Sequence, residues 1–461
     1  MSNNTDIYFG SRNVIVPFQE VLIKTQTYLS DHHSDLLMEK PNEENKKHLN
    51  RYMRQFLIEN NFRCEGMDLD ALVQALYREM VEFSILTEFL ERNDVEEINV
   101  NAWNDIEIIF NTGNMVKLDR TFDNPKHSIN VLRRMLHLSG NIIDDAMPAV
   151  LGHLGKNIRI AALKTPVVDE DKGISCSIRI VNPSNLQKED FIRGGTATEA
   201  MLDFLSLCLQ YSVGMCVAGE TSSGKTTLAS YLLNTIPDDM RIYTIESGSR
   251  ELNPVKYDED GRIKNRVVST LARPSEDPSK NITQEKLCDY ALRFDPDIIV
   301  VGEMRESEAY TAQEAARTGH GVLTTIHANS AEATYGRMVT LCKRASDLDK
   351  ADLMENVVEA FPIVVFAKKL RDKSRKVMDI LECENKEDGT REYHHLFRYV
   401  VMRNRRVNGK VIIDGEFKMT SQMSARLFNM LRDNGMADEE YISIFGKLPD
   451  YVTDEEGGDE D

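Results

Sequence analysis

Gly219-Glu220-Thr221-Ser222-Ser223-Gly224-Lys225-Thr226 constrains this chain more than any other stretch. Two glycines four residues apart, followed by Lys and Thr, form a phosphate-binding loop. The glycines let successive N–H groups converge on one anion, Lys225 supplies a point charge, and the Thr226 hydroxyl suits Mg²⁺. The pattern requires a strand before it and a helix after it, because the helix N-terminus adds its dipole. Both flanks comply. Val213 to Ala218 is short, apolar and strand-like, and Thr227 to Leu233 carries a helical pattern. The expected phosphate contacts run from Gly219 through Glu220, Thr221, Ser222, Ser223, Gly224, Lys225 and Thr226 to Thr227.

A chain of 461 residues holds two to four domains. From about residue 198 onward, strands alternate with helices, the pattern of a mainly parallel α/β sheet. Arg241–Ile245, Ile298–Val301, Val322–Ile326 and Ile363–Phe366 are its buried strands. Residues 93–180 alternate with period two around one helical stretch and read as a smaller α+β domain. Before them, residues 1–92 comprise a polar leader to about 45 and a helical segment with Asp68 as an N-cap. Lys40 to Lys47 reads as an exposed linker. Residues 181–197 form a second linker, marked by Asn182-Pro183-Ser184-Asn185 and Gly194-Gly195. The nucleotide domain with its C-terminal part spans 198–445. The last stretch, 446–461, is an acidic tail expected to be disordered, with seven carboxylates in the last twelve residues.

The net charge of −19 argues against a nucleic-acid binder that works by broad phosphate neutralisation, though a local basic patch remains compatible with it. Seven cysteines, none spaced C-x-x-C, read as buried thiols in a reducing compartment. The N-terminus lacks a signal-peptide pattern and no apolar run reaches eighteen residues, so the expected location is cytoplasmic.

Phosphate chemistry needs a carboxylate on the metal side and a group that positions water. Glu303 ends the buried strand Asp297-Ile298-Ile299-Val300-Val301-Gly302, at the edge where α/β sheets bind ligands. Glu246 ends the preceding strand in the same way, and either acid could activate water. A salt bridge to Arg305 is the structural alternative for Glu303, and a solvent-facing strand end is that for Glu246. His320 and His327 bracket the strand 321–327 and could donate to a γ-phosphate. No cysteine stands near enough to make either histidine a recognisable zinc ligand.

These blocks resemble the secretion-superfamily motor ATPases of type II and type IV secretion and of Tad/Flp-type pili. Leu292 to Arg305 is similar to that family's Walker B block, Thr318 to Asn329 to its His box, and Ile245 to Leu252 to its Asp box. Glu97-Ile98-Asn99-Val100-Asn101 resembles its N-terminal strand motif and points to the Tad-pilus and conjugation-type branch. In the Asp box Ser247 replaces aspartate and an extra residue precedes Glu251, which leaves open whether Glu246 or Glu303 is the general base. The G-P-L motif usual before the N-terminal strands is missing, as is the tetracysteine of some type II members. The resemblance implies a RecA-type ATPase domain, ATP with Mg²⁺ on Thr226 and Glu303, and a homohexameric ring. It further implies arginines that neutralise phosphates, with Arg159, Arg179, Arg293 and Arg305 as candidates. Partners would be a membrane platform or secretion channel, with membrane association through those partners and nucleic acid no direct ligand. The alternatives are a nucleic-acid motor on the same core and a nucleotide-gated scaffold that does not hydrolyse.

Overall fold

The computed structural model describes residues 14–33, 36, 43–138, 140–155, 157–181, 186–248, 250–273, 275 and 277–452. The chain divides into two compact units, Met1–Ile180 and Val181–Asp461.

The first unit holds two cores. Helices α1 (Phe18–His32), α2 (Glu43–Glu59) and α3 (Leu69–Met80) bury Val21, Leu29, Met53, Leu57, Leu72 and Leu76 against one another. Asp68 caps α3 through the Ala71 amide, as its position predicts. Two expectations are corrected here. The polar leader contains α1, whose few apolar residues fall on one stripe, and Glu43 to Lys47 begin a helix instead of a linker. Strands β1 (Val14–Ile15) and β2 (Phe62–Arg63) pair beside these helices, and the short α4 (Thr87–Leu90) leads into the second core.

That core lies on a six-stranded antiparallel sheet. Its strands are β3 (Val95–Ala102), β4 (Asp105–Phe110), β5 (Met115–Lys117), β6 (Ala149–Leu154), β7 (Ile158–Lys164) and β8 (Ile174–Ile180), in the order β5-β4-β3-β8-β7-β6. Period-two alternation puts Ile98, Val100, Ile160 and Ile178 under helix α5 (Pro125–His137), leaving the odd-numbered residues of β7 and β8 on the other face. Glu79 on α3 and His127 on α5 meet at 2.8 Å, which ties the helical part to the sheet.

The second unit is organised on a nine-stranded sheet. In chain order its strands are β9 (Met215–Gly219), β10 (Arg241–Glu246), β11 (Arg266–Leu271), β12 (Ile298–Val301), β13 (Gly321–Ile326), β14 (Ile363–Lys369), β15 (Arg375–Asn385), β16 (Arg391–Val407) and β17 (Lys410–Met419). Spatially the order is β11-β10-β12-β13-β9-β14-β15-β16-β17, parallel through β14 and antiparallel beyond it. The parallel part is covered on both faces, so its strands are apolar throughout. Val217, Ile298, Val300 and Leu323 face α7 (Glu199–Gln210) and α8 (Lys225–Thr235), joined by the C-terminal α13 (Ala425–Asp433) and α14 (Asp438–Phe445). Ala218, Ile299, Val301 and Ile326 face α9 (Gln284–Ala291), α10 (Glu308–Arg317), α11 (Ala331–Cys342) and α12 (Lys350–Ala360). Helix α6 (Lys188–Arg193) occupies part of the stretch expected as a linker; its Asn182 to Asn185 and the tail from 453 lie outside the described residues. All seven cysteines are free and buried, as expected.

Candidate nucleotide site

The strand order determines what meets at the C-terminal edge of the parallel sheet. β13 lies between β9 and β12, with Ile326 opposite Ala218 and Thr324 opposite Val301. One residue past those pairings, His327 follows β13 beside Gly219, and Gly302-Glu303 leaves β12 on the other side. The three sequence blocks therefore converge because their strands are neighbours and parallel.

The loop itself is tightly built. A Cβ on Gly219 would stand 2.1 Å from the Ala367 carbonyl oxygen on β14, so only glycine fits there. Gly224 takes a left-handed φ of 93° as the N-cap of α8, and Ser222 is left-handed as well, at 59°. Lys225 is buried, and its Nζ donates to the carbonyls of Gly219 at 3.1 Å and Glu220 at 2.8 Å. It is thus held over the mouth of the loop. Thr226 is half-buried in the first turn of α8. The buried Ser223 hydroxyl has no hydrogen-bond partner among the described residues. Orphaned donors, the open amides of a helix N-terminus and a lysine folded over them are complementary to phosphate oxygens.

Glu303 is the acid brought to this loop. The Thr325 hydroxyl donates to the Gly302 carbonyl at 2.7 Å, and the Met304 amide donates to the Thr325 carbonyl, which fixes the turn that carries it. Its Oε1 lies 3.3 Å from His327 Nε2, and its Oε2 accepts from Arg305. Burial alone would raise its pKa, but the Arg305 guanidinium, His327 and Lys225 together hold it below the ordinary value, so the carboxylate is charged. His327 moves down: burial and the Lys225 charge disfavour a second positive group there, against the pull of Glu303.

Glu246 has different surroundings. It is 3% exposed at the end of β10, with Oε1 accepting from the amides of Glu251 at 2.5 Å and Leu252 at 2.8 Å. Its Oε2 is buried without a partner among the described residues. Burial pushes its pKa up to about 7, against the two amides.

Two expected groups are absent from this edge. His320 precedes β13, so six strand residues separate it from His327, roughly 20 Å at 3.3 Å per residue. Its Nδ1 meets the Ala315 carbonyl and the Thr318 hydroxyl instead. Arg293 precedes β12 on that same far edge, where its amide donates to the Tyr290 carbonyl. The geometry removes both from the phosphate contacts. Arg159 and Arg179 belong to the first unit, opposite each other on β7 and β8, with His153 and Glu97 as their outer neighbours. The four form one row on the sheet face turned away from α5.

A contact that the motifs do not announce comes from β15. Arg375 Nε donates to the Ser222 carbonyl at 3.0 Å, bracing the loop from the antiparallel side. The basic stretch Lys368 to Lys376 was its only signal in the sequence.

A parallel sheet with the loop strand one place removed from the acid strand, and a histidine at the end of the strand between, defines a RecA-type P-loop domain that follows a smaller α+β domain in the sequence. A model of the family described as "Type II/IV secretion system protein" matches residues 144–435, and the chain belongs to that family. It is 27% identical over 318 residues to the putative conjugal transfer protein Rv3659c of Mycobacterium tuberculosis, covering 67% of this chain and 87% of that one. To the uncharacterized protein MJ0900 of Methanocaldococcus jannaschii it is 27% identical over 280 residues, covering 61% of this chain. The match covers 49% of MJ0900, about half its length. Among solved structures, the VirB11 ATPase of the Brucella suis type IV secretion system is 23% identical, with a TM-score of 0.34 over 64% of this chain and 95% of that one.

Proposed function

We propose that the chain hydrolyses ATP and powers a secretion or pilus-assembly machine. The observation that carries this reading is the charged Glu303 carboxylate within 3.3 Å of His327 and in the field of Lys225, at the mouth of a phosphate loop. A scaffold that only bound nucleotide would need the loop without that acid.

In this reading Lys225 and the amides from Gly219 to Thr227 hold the phosphates. The Thr226 hydroxyl and Glu303 would hold Mg²⁺, which supplies charge neutralisation between phosphate oxygens. Glu303 accepts the proton of the attacking water. His327, kept neutral by its neighbours, donates a hydrogen bond toward the terminal phosphate. Glu246 acts at one remove: it holds the amides of Glu251 and Leu252 and so shapes the loop after β10. Arg305 keeps Glu303 ionised, and Arg159 and Arg179 form the phosphate-neutralising face of the first unit.

The finer reading extends the family resemblance. The chain works as a homohexameric ring of the Tad-pilus or conjugation type, in the cytoplasm at the inner face of the membrane, against platform or channel proteins. The domains are 1–92, 93–180, a linker at 181–197, 198–445 and an acidic tail. Family membership and the Glu97 to Asn101 strand support this.

Phosphate release from the purified chain tests the activity. Lys225→Ala should keep the thermal midpoint of the parent and lose turnover. Turnover by Lys225→Ala at the parent rate would reject the site.

A further inference from the structure

The chain carries a net charge of −19, yet one edge of the second unit is strongly basic. The turn from β14 to β15, residues 368–376, holds six basic residues and one acid. Residues 398–418 hold six basic residues and two acids. The fold puts these stretches together, since the Ile413 amide donates to Asp372 Oδ2 at 3.3 Å.

The second stretch is a projecting ribbon. β15 starts beside the phosphate loop, where Arg375 meets Ser222. β16 runs antiparallel to it and therefore heads back toward that edge. Pairing with β15 ends at Asp379 opposite Arg398, but β16 continues to Val407, paired only with β17. Residues 399–407 and their partners thus form a two-stranded arm on the order of 30 Å long. It closes through Asn408-Gly409, both at left-handed φ, the turn that matches strand twist.

The arm's surface mixes charge and apolar area. Arg405 is paired with Asp414. Arg403 lies across the ribbon from the same Asp414 and shares its charge, whereas Arg406 and Lys410, with Arg371 and Lys373 at the arm's foot, have no ion-pair partner among the described residues. Along the arm Val401, Met402 and Val407 are 41%, 63% and 45% exposed, and Met419, opposite Phe397 at its base, is 55% exposed. The arm's aromatic residues, Tyr399 and Phe417, pack on each other at its base and leave nothing at the tip to stack on a base.

We propose that this arm binds an anionic lipid surface, with Arg403, Arg406 and Lys410 on the headgroups and Met402 and Val407 entering the interface. Basic side chains near an anionic bilayer each add attraction, and apolar side chains supply the second signal that stable attachment needs. No helix among the described residues is long and apolar enough to cross a membrane.

Flotation of the full chain with phosphatidylcholine vesicles, with and without phosphatidylglycerol, tests this without reference to ATP turnover. The parent should float only with phosphatidylglycerol. Replacing Arg403, Arg406 and Lys410 together by Ala should lower partitioning roughly a hundredfold, taking about 1 kcal/mol per basic residue. Met402→Ser with Val407→Ser should also lower it, and both variants should keep the parent thermal midpoint and vesicle-free ATP turnover. The pair Arg262→Ala and Lys280→Ala, exposed basic residues elsewhere on the unit, should float like the parent. Equal loss from that pair, no flotation of the parent, or retention of the parent by a DNA duplex but not by vesicles would overturn the proposal.

Discussion

His327 Nε2 lies 3.3 Å from Glu303 Oε1, although the two residues end different strands twenty-four positions apart. The contact exists because β12 and β13 are parallel neighbours, and it couples the acid of the site to the residue beside Gly219. His327→Ala should therefore leave nucleotide binding near the parent value and lower kcat about ten- to a hundredfold, the scale of one hydrogen bond to a charged group. Steady-state turnover alongside nucleotide titration separates the two effects. A raised Kd with unchanged kcat would move His327 from the chemistry to ground-state binding.

Gly219→Ala tests the packing of the loop. The added Cβ would press on the Ala367 carbonyl, which is backbone of the adjacent strand and cannot rotate away. We expect a loss of about 1–3 kcal/mol in stability together with weakened nucleotide binding. Denaturant unfolding followed by nucleotide titration of the folded fraction reads both.

Arg375→Ala removes the brace from β15 to Ser222. The phosphate loop should become more mobile, so hydrogen exchange of the amides from Thr221 to Gly224 should accelerate while β9 stays protected. Unchanged exchange would show that Ser222 holds its left-handed conformation without the arginine.

Glu246 gives a pH dependence with a definite sign. Its folded pKa of about 7 lies above the ordinary 4.5 because the buried carboxylate resists ionisation. The stability linked to its proton is fully present below pH 4.5 and is lost as pH rises through 7. Glu246→Gln should therefore be more stable than the parent at pH 8, by up to about 3 kcal/mol, and equal to it near pH 4.5. Unfolding midpoints at the two pH values decide this, and a variant less stable at pH 8 would contradict it.

The convergence on the loop was legible because each block is local. A buried apolar strand ending in a carboxylate, such as Ile298 to Glu303, announces both its element and its functional end. His320 and Arg293 show the limit of that reasoning. Sequence proximity to a strand does not say which end faces the ligand, and a parallel sheet sends the two ends to opposite edges. Helix α1 was missed because a stripe of few apolar residues in a polar stretch gives a weak period. The arm of β16 and β17 offers no strand signal beyond the short apolar run Val411 to Ile413, since its exposed strands bury almost nothing and carry charge where a strand signal needs apolar residues. Asn408-Gly409 was the one local mark of its turn. The contact of Arg375 with Ser222 joins residues 153 positions apart, and no motif encodes it.

Glu303 is the acid proposed to activate water, with Glu246 in a supporting position. Phosphate release by the parent, Glu303→Gln and Glu246→Gln, each with its nucleotide affinity measured, tests this most directly. We predict that Glu303→Gln binds ATP about as tightly as the parent and releases phosphate at least a hundredfold more slowly, while Glu246→Gln stays within about tenfold of the parent rate. The reverse ranking, with Glu303→Gln active and Glu246→Gln silent, would contradict it.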